Sequence, residues 1–102
     1  MPSKTSVSAP PMRPTVRNIE EIGKIVRAQR LGEQLRIDDA AALCGVSVDL
    51  LSRLENGGRV TTDRLLKVLD SLGLSVLIAP KDQASVLEKT LLNLKQENHL
   101  LP

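Results

Sequence analysis

Leu43-Cys44-Gly45-Val46-Ser47-Val48-Asp49-Leu50-Leu51-Ser52-Arg53-Leu54-Glu55-Asn56-Gly57 is the stretch in which helical periodicity stops, turns on a glycine and starts again. The helix before it ends near Cys44. Gly45 can take the positive φ that closes a helix, and Ser47 stands where a hydroxyl can accept from the free N–H groups of the next one. Val46 sits between them as an apolar plug. The second helix turns Leu50, Leu51 and Leu54 toward a core and leaves Ser47, Asp49, Ser52, Arg53 and Asn56 on other faces, and Gly57-Gly58 ends it. Two short helices joined by a three- to four-residue turn describe a helix-turn-helix.

The chain has 102 residues, room for one small domain with tails. A domain of this size buries only about 60 to 65% of its unfolded surface. It has no Phe, Tyr or Trp, so the core is expected to be Leu, Ile, Val and Ala, with dimerisation as a way of hiding more apolar area. The single cysteine, Cys44, excludes an internal disulfide and a cysteine-cluster metal site and fits a reducing cytoplasm; free cysteine in such a place reads as a small core hydrophobe. Apolar runs are short and broken by charge, so neither a signal peptide nor a membrane span is expected. The absence of aromatics also argues against single-strand or RNA binding by base stacking.

The formal charge of +2 is unevenly spread. Residues 1–18 hold Lys4, Arg13 and Arg17 and no acid, residues 19–80 are nearly neutral, and residues 81–102 are balanced. A nucleic-acid module usually has a basic face, so an electrostatic case rests on where individual arginines lie.

Residues 1–17 combine Pro2, Pro10, Pro11 and Pro14 with Ser, Thr and Lys, a composition expected to stay disordered. Arg13 and Arg17 in this arm are candidate DNA-phosphate contacts, as in the arms of some DNA-binding domains; a plain solvated tail is the alternative. Asn18 with Glu21 makes a capping box. Ile19, Ile22 and Val26 then give the apolar stripe of a first helix, running to about Leu31. A second helix is expected from about Ile37 to Cys44, with Ala40, Ala41 and Leu43 allowing close approach and Asp38 and Asp39 favouring its positive end. After the glycine loop, Thr61 or Thr62 caps a helix in which Leu65, Val68, Leu69 and Leu72 repeat at core spacing, and Gly73 stops it. Leu74-Ser75-Val76-Leu77-Ile78 reads as a short β-strand over 74–79, closed by Pro80. A lone strand needs a partner edge; the same strand of a second subunit is the obvious one, and the chain's own helices are the alternative. A last helix is expected from about Gln83 to Asn98.

Gly45-Val46-Ser47, Leu51-Ser52 and Leu54-Glu55-Asn56-Gly57 resemble the signature of the Cro/repressor (Xre) helix-turn-helix family, over roughly Ile19 to Leu74. The run from Asp63 to Leu74 and the segment after it resemble the HipB-type antitoxins more closely. The resemblance implies a mainly α fold, a bundle of four to five helices with one short C-terminal strand paired across a dimer and a tail helix. It implies that Arg30 and Glu55 form a structural ion pair, and that Ser47, Val48, Asp49, Ser52 and Arg53 face base edges. Ser can donate or accept, Val48 can touch a thymine methyl, Asp49 can accept from cytosine N4, and Arg53 can reach guanine or a phosphate. Asn56 and Arg59 are candidate phosphate contacts that position the module without reading sequence. Where the family pattern has Thr or Ser and then Gln, this chain has Arg36 and Ile37, so Arg36 would take over a phosphate contact.

The expected organisation is an arm over 1–17, a DNA-binding domain over 18–80 with Leu74, Val76, Leu77 and Ile78 in the dimer strand, and a helical tail over 81–102. In the tail, Leu87, Leu91, Leu94, Asn98 and Leu101 form a short heptad seam that could pair with a dimer mate, enter a groove on a toxin or pack on its own domain. His99, the one histidine, has no ligand set around it. Nothing suggests an enzyme, a metal or a cofactor. The expected function is a cytoplasmic, homodimeric repressor that binds a near-palindromic double-stranded operator, as the autoregulating antitoxin of a toxin-antitoxin operon. The alternatives are a stand-alone phage or mobile-element regulator, and a protein-binding module that neutralises a partner and binds DNA weakly.

Overall fold

A computed structural model describes residues 13–100, with side chains to residue 94. Five helices follow one another: α1 (Ile19–Gly32), α2 (Ile37–Cys44), α3 (Val48–Glu55), α4 (Thr62–Ser71) and α5 (Lys81–Leu100). The first four begin where the chain provides an extended residue before the first turn, and three of these have a side-chain cap. Asn18 accepts from the Glu21 N–H at 2.9 Å, Ser47 from the Leu50 N–H at 3.0 Å and Thr61 from the Arg64 N–H at 3.4 Å, each satisfying one of the donors a helix leaves free at its start. Glu21 returns the bond of the capping box one residue early, on the Arg17 N–H at 2.6 Å. Arg36 precedes α2 without a side-chain cap.

The turn between α2 and α3 is made by Gly45 at φ 70°. In that left-handed conformation the Val46 N–H reaches back to the Ala41 carbonyl at 3.0 Å, and Val46 packs against the core. The core itself is aliphatic: Val26, Ala40, Ala41, Cys44, Leu51, Leu54, Val68, Leu69 and Leu72 are buried. Because Ala40, Ala41 and Cys44 take the inner face of α2, Leu43 points outward and is exposed, contrary to its expected place in the packing. Leu50 is only partly buried, at the margin.

The main packed helix pairs are α1 with α3, α2 with α3 and α2 with α4. The tightest approach is at Gly23 on the buried side of α1, where a Cβ would collide with the Leu54 carbonyl and stand 3.1 Å from that of Glu55. Gln29 ties α1 to the far side of the bundle by donating to the Leu72 carbonyl at 2.9 Å. Among the described residues no helix is long and apolar enough to cross a membrane.

The strand expected over 74–79 does not form. Leu74 N–H closes onto the Leu69 carbonyl at 2.8 Å beyond Gly73, and residues 74–80 are then irregular, with no strand anywhere among the described residues. The reason is the one that made the strand conditional: a ladder needs a second edge, and the described chain offers none. Leu77 and Ile78 are left 77% and 96% exposed.

The last helix is longer than expected, starting at Lys81 directly after Pro80, as proline's missing N–H permits. Leu87, Leu91 and Leu94 of the heptad seam are each about half exposed; the side chains of Asn98 and His99, and all of Leu101, lie outside the described residues. The α5 helix is held instead through Glu88. This carboxylate, 8% exposed, accepts from Arg13 Nη2 at 3.0 Å and from Thr15 Oγ1 at 2.6 Å, so the end of the predicted arm lies along α5. Residues 1–12 of that arm lie outside the described residues.

Two outcomes are expected from these contacts. Gly23→Ala gains helix propensity of about 1 kcal/mol, but the colliding atoms are backbone, so a net loss of about 1–3 kcal/mol in unfolding free energy is expected by urea denaturation. The hydrogen bonds from Arg13 and then Thr15 hold the Glu88 carboxyl below its usual range. A depressed folded-state value means that the clasp is intact above the ordinary carboxylate range and is lost as pH falls through the Glu88 value. Carboxyl-carbon NMR should give Glu88 a lower midpoint than a peptide glutamate, moving upward in Arg13→Ala.

Candidate nucleic-acid interface

The α3 helix is inserted with one face in the core, through Leu51 and Leu54, and the opposite face in solvent. On the solvent side Ser47, Val48, Asp49 and Arg53 are exposed, and Ser52 is half-buried. The helix ends in a stack of closures. The Gly57 N–H bonds the Leu54 carbonyl at 3.0 Å, the Gly58 N–H bonds the Arg53 carbonyl at 2.7 Å, and Gly57 takes φ 82°.

Behind this surface lies the contact between α1 and the end of α3. Arg30 donates from Nε to Glu55 Oε2 at 2.6 Å and from Nη2 to Glu55 Oε1 at 2.9 Å, while its Nη1 donates to the Leu35 carbonyl at 2.9 Å. Both side chains are nearly enclosed, at 10% and 4% exposure. The Glu55 hydrogen bond outweighs burial and holds the guanidinium more firmly protonated than usual. Gly23 permits this fork, because it lets the backbone of α1 touch the last turn of α3.

The other candidate residues differ in what they contact. Asp49 and Arg53, one turn apart, are joined by an ion pair of 2.9 Å, and Arg53 Nη1 also reaches the Arg59 carbonyl at 3.4 Å. Asn56 is turned back on its own helix, donating from Nδ2 to the Ser52 carbonyl at 2.7 Å. Arg36 lies against Asp38 at 3.2 Å in an open pair, the kind of surface contact that contributes little. Arg17 is exposed at the start of α1. Arg13 is separated from this set by its engagement with Glu88. Cys44 is buried, with Sγ 3.9 Å from the Val68 carbonyl, and burial pushes its thiol up despite the opposing Ser71 hydrogen bond and Lys67 charge, which makes it a poor nucleophile.

Three features were not read from the sequence. Gly23 carried a signal, a glycine inside an amphipathic helix, which often marks close approach. Gly58 was read only as part of a helix stop, yet a Cβ there would run into Arg53 Cγ and sit 3.3 Å from its Cδ. The partnership of Glu88 with Thr15, 73 positions away, left no local pattern.

The family model HTH_3, described as helix-turn-helix, matches residues 26–78, from the buried middle of α1 to the exposed Ile78. The chain belongs to this family. The family is one of DNA-binding regulators and not of enzymes, so α2 and α3 are the two helices of a helix-turn-helix of Xre type. No curated protein matches the chain.

The helix-turn-helix should depend on the Arg30–Glu55 fork in an asymmetric way. Glu55→Ala strands an arginine that is 10% exposed and should cost about 3–5 kcal/mol. The double variant Arg30→Met/Glu55→Leu removes both charges and should cost much less. Urea titrations of the three proteins check this, equal losses being the contrary result.

Proposed function

We propose that this helix-turn-helix protein is a cytoplasmic, sequence-specific repressor that binds double-stranded DNA as a homodimer. The observation that carries the reading is α3 itself, a capped helix held rigidly from behind whose outer face presents Ser47, Val48, Asp49 and Arg53, in a chain of a DNA-binding family. In this arrangement α3 enters the major groove; Ser47, Val48, Ser52 and Arg53 meet base edges, with Asp49 held against Arg53, and Arg36, Asn56, Arg59 and Arg17 lie toward phosphates. Arg13 joins them only if it leaves Glu88.

Dimerisation is supported by the connection after α4. No backbone hydrogen bond involves residues 75–79 among the described residues, and Val76, Leu77 and Ile78 are exposed. Pairing of this segment, with Leu74 at its root, against the same segment of a second copy satisfies both needs and sets two α3 helices on half-sites about 34 Å apart. The resemblance of residues 63–74 to HipB-type antitoxins, together with the half-exposed leucines of α5, supports the narrower reading of an antitoxin that represses its own operon and offers α5 to its toxin.

The test is anisotropy of a labelled duplex from upstream of the gene against a scrambled one, over a salt series, with sedimentation of the same samples. Specific binding is expected to be at least about a thousandfold tighter than non-specific binding. Arg59→Ala should weaken both duplexes alike and reduce the salt slope by about one. Leu77→Asp/Ile78→Asp should give monomers with intact helicity and greatly reduced affinity for the two-half-site duplex. Equal, weak binding of both duplexes would remove the repressor reading and leave a protein-binding module.

A further inference from the structure

Arg53 had two candidate roles, guanine or phosphate, and its surroundings separate them. We infer that Arg53 is a preset reader of guanine and that Asp49 and Gly58 are its positioning residues, an inference that rests on the DNA-binding reading of α3.

An exposed arginine ordinarily samples many rotamers, and ordering it on a ligand costs entropy. Here two contacts hold its head, and Gly58 leaves room for its stem. The aliphatic stem crosses Gly58 where a Cβ would collide with Cγ and crowd Cδ at 3.3 Å. The head is caught between Asp49 Oδ2, 2.9 Å from Nη2, and the Arg59 carbonyl, 3.4 Å from Nη1. A surface pair one helical turn apart holds little by itself; the restraint comes from two acceptors acting together on the head, in a stem conformation for which Gly58 leaves room.

The charge balance points the same way. A phosphate clamp works through net positive charge and counterion release, whereas Asp49, 86% exposed in its side chain, cancels the charge of Arg53 and would repel a phosphate brought beside it. A guanine edge is neutral and offers O6 and N7 to a bidentate fork. Arg53 has five N–H donors; with one on Asp49 and one on the Arg59 carbonyl, the remaining three are available for such an edge. Asp49 therefore does for Arg53 what a buried carboxylate does for a metal-binding imidazole: it fixes the plane in which the donors are offered.

The test selects duplexes from a random pool with the wild-type protein and compares the base profile and salt slope with those of Arg53→Ala, Arg53→Lys, Asp49→Ala and Gly58→Ala, each first checked for native helicity by circular dichroism. Wild type should enrich a site containing a G·C pair whose preference drops by about 5- to 150-fold in Arg53→Ala, with the salt slope unchanged. Arg53→Lys keeps the charge without the fork and should not restore the preference. Asp49→Ala should bind all duplexes more tightly, with a steeper salt slope and a weaker preference for that pair; Gly58→Ala should weaken the preference without changing the net charge. If wild type enriches no sequence, the DNA-reading assignment of α3 falls and the inference with it. If wild type enriches a site but Arg53→Ala weakens all sequences equally and lowers the salt slope by about one, Arg53 is a phosphate contact and the inference is overturned. It is equally overturned if Asp49→Ala and Gly58→Ala leave the G·C preference unchanged.

Discussion

The bidentate contact between Arg30 and Glu55 joins the last turn of α1 to the last turn of α3, and most of the helix-turn-helix depends on that junction. The two charges are nearly out of water, so each is tolerable only while the other is in place. The geometry that brings them together is steric before it is electrostatic. Gly23 allows the α1 backbone to touch the Leu54 and Glu55 carbonyls, and a third guanidinium bond to the Leu35 carbonyl anchors the loop into α2. One arginine thus orients α1, the entry to α2 and the end of α3 relative to one another.

The rest of the domain is built from small aliphatic parts. Without aromatic side chains no single residue can fill a large interhelical gap, and close packing is reached by bringing helices together over Gly23, Ala40 and Ala41. That solution closes the bundle of α1 to α4. It leaves the apolar side chains of residues 76–78 and the leucines of α5 largely outside the core, and the side-chain hydrogen bonds that tie α5 to the rest of the described chain are those of the Arg13–Thr15–Glu88 clasp. These are the surfaces on which the proposed dimer and partner contacts rest.

Near-neutral charge in the central part of the chain is compatible with a DNA-binding family because three of its arginines are held in ion pairs. Arg30 is spent on structure, Arg36 faces Asp38 and Arg53 faces Asp49, and outside that part Arg13 faces Glu88. A surface arranged in this way relies less on bulk attraction to the phosphate backbone and more on the placement of individual donors, which is where rigid support of α3 matters.

Sequence by itself determined whatever depends on neighbours along the chain. The caps at Asn18, Ser47 and Thr61, the left-handed turn at Gly45 and the leucine spacing of α3 and α4 are local rules about backbone donors and helical period, and they placed the helix-turn-helix within a residue or two. Tertiary structure alone decided what depends on two distant segments meeting. Gly23 became a contact point only when α3 was laid against it, Glu88 an acceptor only when residues 13–15 reached it, and Gly58 a seat for Arg53 only when the loop folded back under the helix. The strand over 74–79 marks the same boundary: alternation and β-branching state a local preference, but a ladder is a relation between two edges, and within one chain the second edge is missing among the described residues.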